Sequence, residues 1–354
     1  MLNTLVPPDT NTDLHTSGLR TIIFHPPSPL DAGMFDAPAG DLGHAPWIYA
    51  RNEFEKSGVR TVTSYRYLGA LEDADWIVFM AMPAITAERI NFKQLLRSII
   101  RRNTPEKDFY NRCISAGLSA RLAVMLWEPP VVSPDNYLTF AHKKFARVFT
   151  WSERLLSKGE PYSPIVWPQP PIVAHPVSVY FAGRKLLCNF SGNKTSIVSG
   201  ELYTLRVAAI RYMEAKHACE FDHYGPGWDK SFPSWKGVVN SKFEVYPNYK
   251  FGLCFENMKD ESGYITEKIF DCLRSGCVPV YFGAPDIAER VPANAFIDYR
   301  NFSGLEAMLD SLQYVDESRW LLMRKAGQDF LASTAFDRFQ RQSFFDMLQA
   351  GLST

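Results

Sequence analysis

The chain of 354 residues carries 38 basic and 38 acidic side chains, so its formal net charge is zero. This balance argues against a nucleic-acid-binding protein that works through a broad basic field. Hydrophobic residues make up 46% and charged residues 21%, as in packed globular proteins, and the length is that of two domains.

Predicted elements alternate between strand and helix from Arg20 onward. The first half is predicted to contain strands at 20–26, 59–65, 73–83, 120–127 and within 145–155, and helices at 45–58 and 88–103. Strands separated by helices indicate βαβ units and a mostly parallel sheet. Residues 19–160 are therefore expected to form a first Rossmann-like domain.

A proline-rich segment interrupts this alternation. Residues 160–176 contain six prolines, which predicts an irregular structure, and 161–176 are expected to be a linker.

The second half is predicted to contain strands at 184–192, 219–228, 249–257 and 277–283, helices at 199–216 and 263–276, and further helices to the end. Residues 177–335 are expected to form a second Rossmann-like domain, and 336–354 a C-terminal helix packing back on the first. Two such domains leave a central cleft, and ligands bind beyond the carboxyl ends of the strands.

No segment has the pattern of a membrane span or a secretion signal. The longest apolar runs, such as 76–85, are too short to cross a bilayer, and the first 18 residues lack a charged segment followed by an apolar one. The six cysteines show no metal-ligand spacing and favour a reducing compartment. We therefore expect a cytoplasmic protein, with peripheral membrane contact and oligomeric state left open.

The stretch 249–270 begins with a strand pattern and then becomes polar. A helix is predicted from about residue 263, which places Tyr264, Glu267 and Lys268 in its first turns. Helix N-termini bind phosphates through free N–H groups and the dipole, and the lysine adds a full charge. Glu267 can accept hydrogen bonds from a ribose diol, and Tyr264 can lie against a base or sugar. The alternative is an exposed helix start whose acids suit the dipole.

Two further charged residues lie in unusual positions. Arg206 falls on the apolar stripe of the helix 199–216, where it needs an anionic partner such as a pyrophosphate, or extends to the helix edge. Glu128 ends the strand 120–127 and is followed by two stiffening prolines. It can take a proton from an acceptor hydroxyl, or it is a strand-end acid that faces water.

A possible metal-binding motif is present at Asp73-Ala74-Asp75. Two aspartates at this spacing can coordinate a metal ion. Here the motif precedes a strand, so we expect it at the amino end of the sheet, away from the cleft, where it caps the strand.

The segment "YKFGLCFENMKDESGYITEKIFDCLRSGCVPVYFGAPDIAERVPANAFIDYRNF" (249–302) closely resembles the signature of the α-1,3/4-fucosyltransferases, glycosyltransferase family 10. The matching motifs are Y-K-F-x-L-x-F-E-N, Y-[IV]-T-E-K and V-P-V. Weaker matches are "LWEPPVV", "NFSGNK…LYTLRVAAIRYM" and "DHYGPGW". The resemblance implies a GT-B fold and inverting transfer of L-fucose from GDP-β-L-fucose to a hydroxyl of an acceptor glycan.

The resemblance also implies roles for individual residues. Glu128 of the acceptor-binding first domain would be the general base, while Arg206 and Lys268 would neutralise the diphosphate without a metal or cofactor. Glu267 would hold the ribose, and Tyr264 would line the nucleotide pocket. The donor-binding set carried over from the motifs is Arg206, Glu256, Asn257, Tyr264, Thr266, Glu267 and Lys268.

The chain also departs from this family's pattern. Eukaryotic members carry a membrane anchor and paired luminal cysteines, and some bacterial members end in heptad repeats and a basic tail. Neither pattern is found here, so we expect a soluble bacterial type whose partners are GDP-fucose and an acceptor glycan. The alternatives are an enzyme of the same fold that uses another GDP-sugar, and a nucleotide-sugar-binding protein that has lost turnover.

Overall fold

A computed structural model describes residues 19–36, 43–83, 105–170 and 180–353. The first 18 residues and the predicted helix at 88–103 lie outside these ranges. Within the described ranges, no helix combines the length and the apolar character needed to cross a membrane.

Six parallel strands form the first sheet. They are β1 (Arg20–His25), β2 (Val59–Thr63), β3 (Trp76–Phe79), β4 (Leu122–Leu126), β5 (Arg147–Thr150) and β6 (Tyr162–Pro164). Their order is β2-β1-β3-β4-β5-β6. Every residue of β4 is buried, as expected for a strand covered on both faces, and Pro129 and Pro130 follow its end closely.

The helices of the first domain precede or follow these strands. They are α1 (Ala45–Lys56), α2 (Pro105–Ser115), α3 (Thr139–His142) and α4 (Glu153–Leu156). Pro46 lies in the first turn of α1, where its missing N–H is tolerated, and Gly58 follows the helix with a left-handed φ of 71°.

Five parallel strands form the second sheet. They are β7 (Lys185–Phe190), β8 (Phe221–Tyr224), β9 (Tyr249–Phe255), β10 (Val278–Phe282) and β11 (Ile297–Asp298), in the order β11-β10-β9-β7-β8. The helices are α5 (Tyr203–Lys216), α6 (Lys242–Val245), α7 (Glu267–Arg274), α8 (Leu305–Ser311), α9 (Glu317–Leu331) and α10 (Arg341–Leu352).

The proline-rich segment contains a regular element, contrary to the sequence prediction. Residues 162–164 pair with β5 and form the last strand of the first sheet. Proline is tolerated there because an edge strand needs no hydrogen bonds on its open side.

The carboxyl ends of the two sheets face each other. Trp151 follows β5, Tyr264 lies in the loop between β9 and α7, and their ring centroids are 4.8 Å apart. A small apolar cluster surrounds this contact and contains Val131, Trp151, Tyr203, Met258 and Tyr264. The residues that follow the strands of each sheet therefore meet at one junction between the domains.

Candidate active site

Glu256 connects the end of β9 to the start of α7. Its fully buried carboxylate accepts hydrogen bonds from the backbone N–H and the hydroxyl of Thr266, each at 2.8 Å, and from Lys268 Nζ at 3.1 Å. Such charge-assisted bonds are among the strongest in proteins. They fix the ammonium group of Lys268 in the first turn of α7, with its side chain only 15% exposed.

Arg206 reaches the same edge of the sheet from α5. The side chain is buried, and Nε and Nη2 donate to the carbonyl oxygen of Phe255 at 3.1 and 2.7 Å. Nη2 also donates to Asn257 Oδ1 at 3.0 Å, and Asn257 Nδ2 donates to the Tyr264 hydroxyl at 3.1 Å. Burial lowers the pKa of Arg206, and the nearby carboxylate of Glu256 opposes that effect.

Glu267 is the first residue of α7, and about a third of its side chain is exposed. Its Oε1 lies 3.7 Å from Lys268 Nζ and 4.0 Å from Lys242 Nζ. Burial alone would raise the pKa of Glu267, but these two cations, together with hydrogen bonds from its own N–H and from Thr266, outweigh it and lower the pKa to about 2. The same balance acts on Lys268, where burial would lower the pKa but Glu256 and Glu267 raise it. Both side chains are therefore charged at neutral pH.

Glu128 belongs to the first domain and lies close to the domain junction in sequence, three residues before Val131. It follows β4, and its carbonyl oxygen accepts a hydrogen bond from Asn136 Nδ2 at 3.0 Å. Burial raises the pKa of its carboxyl group; the charges of Lys194 and Lys268 oppose the rise, and Glu267 adds to it. Val131, three residues after Glu128, packs with Tyr203 and Tyr264 of the second domain, so the segment that follows β4 lies at the domain junction.

The backbone at Gly263 allows the two domains to approach closely. Gly263 has a φ of 87°, and a Cβ added there would overlap the carbonyl oxygen of Trp151 in the first domain. Its N–H donates to Asp286 Oδ1 at 3.0 Å, which anchors the loop to the second domain. Glu153 N donates to Ser262 O at 3.3 Å, directly beside this glycine.

The predicted start of the helix is wrong. The helix α7 begins at Glu267 rather than near 263, because the left-handed Gly263 and the extended Thr266 (φ −106°, ψ −170°) keep the intervening residues out of helical geometry. Tyr264 is consequently not in the first helical turn. It is 1% exposed and packs on Trp151, so it holds the domain junction, and its contact with a nucleotide stays a prediction.

The structure brings the predicted site residues together. Hydrogen bonds and ion pairs link the donor-site set of Arg206, Glu256, Asn257, Tyr264, Thr266, Glu267 and Lys268. Sequence analysis did not single out Lys194, whose charge acts on Glu128. Its position soon after the carboxyl end of a predicted strand is the signal that could have indicated it, since this is the edge where ligands bind.

The Asp73–Asp75 motif lies at the amino end of β3, as predicted. The carboxylate of Asp75 accepts a hydrogen bond from Thr21 N at 2.7 Å, which ties β3 to β1. Across the described ranges, no group of three or more histidine, cysteine, aspartate or glutamate side chains is arranged to hold a metal ion.

Two cavities lie away from these residues. One of about 430 Å³ lies near the amino end of β4, and one of about 540 Å³ lies beside α9. Neither is lined by Glu128 or by any member of the donor-site set. The residues of the candidate site therefore lie outside these two cavities.

The junction combines three chemical capacities. A desolvated carboxylate from one domain can accept a proton, two buried cations from the other can bind an anion, and an ionised carboxylate beside them can accept hydrogen bonds from a diol. The first capacity belongs to Glu128, the second to Arg206 and Lys268, and the third to Glu267.

Two parallel-sheet α/β domains that face each other through their carboxyl edges define the GT-B class of fold, which confirms the predicted fold class. A solved α1,3-fucosyltransferase with GDP-fucose has a TM-score of 0.51 and 14% identity, over 100% of this chain and 93% of that one. An α-glucosyltransferase in complex with UDP-glucose and DNA has a TM-score of 0.54 and 10% identity, over 95% and 100% of the two chains.

Sequence comparison is more specific for the second domain. Residues 195–324 match the family model of glycosyltransferase family 10 (fucosyltransferase), C-terminal part. The α-(1,3)-fucosyltransferase FucT of Helicobacter pylori is 36% identical over 77 residues, which are 22% of this chain and 16% of that protein. GDP-fucose protein O-fucosyltransferase 3 of Xenopus laevis is 40% identical over 81 residues, 23% of this chain and 17% of that protein. The matched range contains the donor-site set and leaves Glu128 outside.

Proposed function

We propose that this protein is an inverting glycosyltransferase that moves L-fucose from GDP-β-L-fucose to a hydroxyl group of an acceptor glycan, with α-1,3/4-type linkage. The observation that carries the proposal is the domain junction, where the segment that follows β4 and contains Glu128 packs against the second domain beside the loop that leads to Lys268. A base and a cation held by opposite domains suit a reaction between two substrates that enter from opposite sides.

In the proposed reaction, Glu128 takes the proton of the acceptor hydroxyl while the acceptor oxygen attacks C1 of fucose. The bond between C1 and the diphosphate oxygen breaks on the opposite side, which inverts the anomeric configuration. The bond electrons leave with GDP, and the fixed charges of Lys268 and Arg206 stabilise them. Glu267 holds the ribose of the nucleotide. Because these cations belong to the chain, the proposal requires no divalent metal.

The choice of fucose is supported by what the similar proteins have in common. Among the relatives found by sequence, two are named for α-(1,3) and α-(1,4) linkages and another for transfer to protein, but each of these three is named for fucose transfer. The segments they share with this chain are short, and the family match falls in the second domain. The similarity therefore supports a donor assignment and leaves the acceptor to experiment.

The test is incubation of the protein with GDP-fucose and an acceptor panel that includes N-acetyllactosamine-type and bacterial surface glycans and a protein acceptor. Mass spectrometry detects the gain of one deoxyhexose, and calorimetry compares GDP-fucose with GDP-mannose. Tighter binding and turnover of GDP-mannose would favour the same fold with another donor. Binding of GDP-fucose without transfer to any acceptor or to water would favour a nucleotide-sugar-binding protein.

The role of Glu128 is tested by Glu128→Gln, which keeps the shape but cannot take a proton. We expect transfer to fall about 10²–10⁴-fold, the usual contribution of a general base, while GDP affinity is nearly unchanged. Glu72→Gln is the matched control, since Glu72 is an exposed carboxylate of the same domain. Undiminished transfer by Glu128→Gln would remove Glu128 from the reaction.

A further inference from the structure

The loop between β7 and α5 crosses from the second domain to the first. Near its start, Asn193 N donates a hydrogen bond to Pro226 O at 3.0 Å within the second domain. Further along, Ser196 Oγ donates to the carbonyl oxygen of Val131 at 3.4 Å. The loop therefore touches the first domain three positions beyond Glu128.

Lys194 lies between these two anchors and is exposed. Its aliphatic stem folds back along the loop, with Cε 3.9 Å from the position that a Cβ at Gly192 would occupy. Among the charges that act on Glu128, that of Lys194 has a larger effect on the pKa than that of Lys268, and both lower it. The anchored loop thus holds Lys194 near the segment that follows Glu128, and the charge influence on Glu128 agrees with this position.

The other titratable groups that act on Glu128, or on which it acts, come from four elements. They are Lys268 and Glu267 of α7, Tyr203 of α5, Tyr264 of the loop before α7, and Tyr137 of the first domain. Burial holds the pKa of each of these tyrosines above the usual value, so they are neutral at the pH of interest. Lys268 is already bound to Glu256 by an ion pair.

We propose that Lys194 is a positioning residue of the transfer reaction, which presents a cation to Glu128 across the domain junction and offsets the charge that moves during transfer. The inference rests on the proposed function. As the acceptor proton reaches Glu128 and the C1–O bond to GDP breaks, one negative charge disappears from the carboxylate and one appears on the diphosphate. A cation on the loop between the two domains interacts with the carboxylate of Glu128 before transfer and with the diphosphate after transfer.

The test is the pH dependence of kcat/KM for fucose transfer by Lys194→Gln. Glu128 must be ionised to act, so activity falls as pH drops through its pKa, and removing Lys194 raises that pKa. The acid limb is expected to move to higher pH by about half a unit, the size typical of removing one exposed charge near a carboxylate. Lys194→Arg should restore the wild-type limb because it keeps the charge. A purely structural role of the loop would lower the rate at every pH without moving the limb, and would overturn the proposal.

A second measurement makes the result independent of turnover. The carboxyl carbon of Glu128 is titrated by NMR in the ¹³C-glutamate-labelled wild type, Lys194→Gln and Lys230→Gln, with Glu128→Gln identifying the signal. Lys230 is an exposed lysine of the same domain that is not among the charges acting on Glu128. A raised pKa in Lys194→Gln alone supports the contact, and equal pKa values overturn it. If the wild type transfers no fucose, the proposed function fails and so does the role of Lys194 in it, even where the titration confirms the contact.

Discussion

Glu256 is the residue on which the local structure of the proposed donor site depends. Its buried carboxylate binds three donors of the turn that begins α7. Glu256→Gln keeps the shape but removes the charge that Lys268 faces, and it places an N–H₂ group against other donors. We expect the free energy of unfolding to fall by about 3 kcal/mol, because a buried ion pair loses one partner. Urea unfolding of the two proteins measures this loss.

The control and the rescue for this prediction use the same measurement. Glu244→Gln changes an exposed carboxylate of the same domain and should alter stability by less than about 0.5 kcal/mol. Adding Lys268→Met to Glu256→Gln removes the second partner as well and should recover part of the loss. A double variant less stable than Glu256→Gln alone would contradict this account of the pair.

For single residues, the sequence predicted which side chains lie at the same edge of the sheet. It did not predict the hydrogen bonds between them. The Y-I-T-E-K run and the strand before it placed Glu256, Thr266, Glu267 and Lys268 at one sheet edge, and the structure has them there. The bonds from Arg206 to the carbonyl oxygen of Phe255 join residues 49 positions apart. No local pattern encodes such a contact, because it depends on how α5 packs against β9.

The loop that precedes α7 controls how closely the two domains approach. Gly263 combines a left-handed φ with a position where a Cβ would overlap Trp151 O. Gly263→Ala should therefore weaken the junction as well as strain the backbone. We expect about 1–3 kcal/mol of destabilisation beyond the backbone strain, as for overpacking elsewhere, together with slower fucose transfer. Urea unfolding and the transfer assay measure the two effects.

Gly237 provides a matched control for this substitution. It has the same φ of 87°, and a Cβ there would meet nothing within 4 Å. Gly237→Ala should cost only the left-handed backbone strain, about 1–2 kcal/mol, and leave transfer unaffected. Equal losses of stability and activity in the two variants would show that contact with the first domain is irrelevant.

The same loop shows where prediction of elements from sequence reaches its limit. Periodicity correctly indicated a helix through Ile269 and Leu273, since these side chains are buried on α7. It extended that helix to Gly263, whereas the first residues form a non-helical turn that packs on another domain. A glycine near a helix start is compatible with both geometries, and only the close approach of Trp151 distinguishes them.

For the molecule as a whole, the pattern of alternating strands and helices was sufficient to predict two parallel sheets. The edge strand β6 was missed because its three residues lie among prolines, and it exists because β5 offers a free edge to pair with. The helix α10 follows the second domain in sequence but packs on α1 of the first, with ring centroids of Phe344 and Trp47 5.0 Å apart. The expectation that a helix within 336–354 packs back on the first domain agrees with this contact. Helical periodicity by itself predicts only that α10 has an apolar face.

Because α10 packs on α1, we expect this last helix to stabilise the first domain, which is formed by the first half of the chain. Phe344 is fully buried in the core with Trp47 and β1, so Phe344→Ala should reduce stability by about 3–5 kcal/mol, the range for large-to-small changes at buried aromatic positions. Hydrogen exchange should increase in β1 and α1 and much less in α9, although α9 is nearer in sequence. Leu322→Ala, at a position 70% exposed on α9, is the control and should leave exchange in both regions unchanged. An amide exchanges only after the packing contacts that protect it have broken. Faster exchange confined to the second domain would therefore mean that α10 stabilises that domain and not the first.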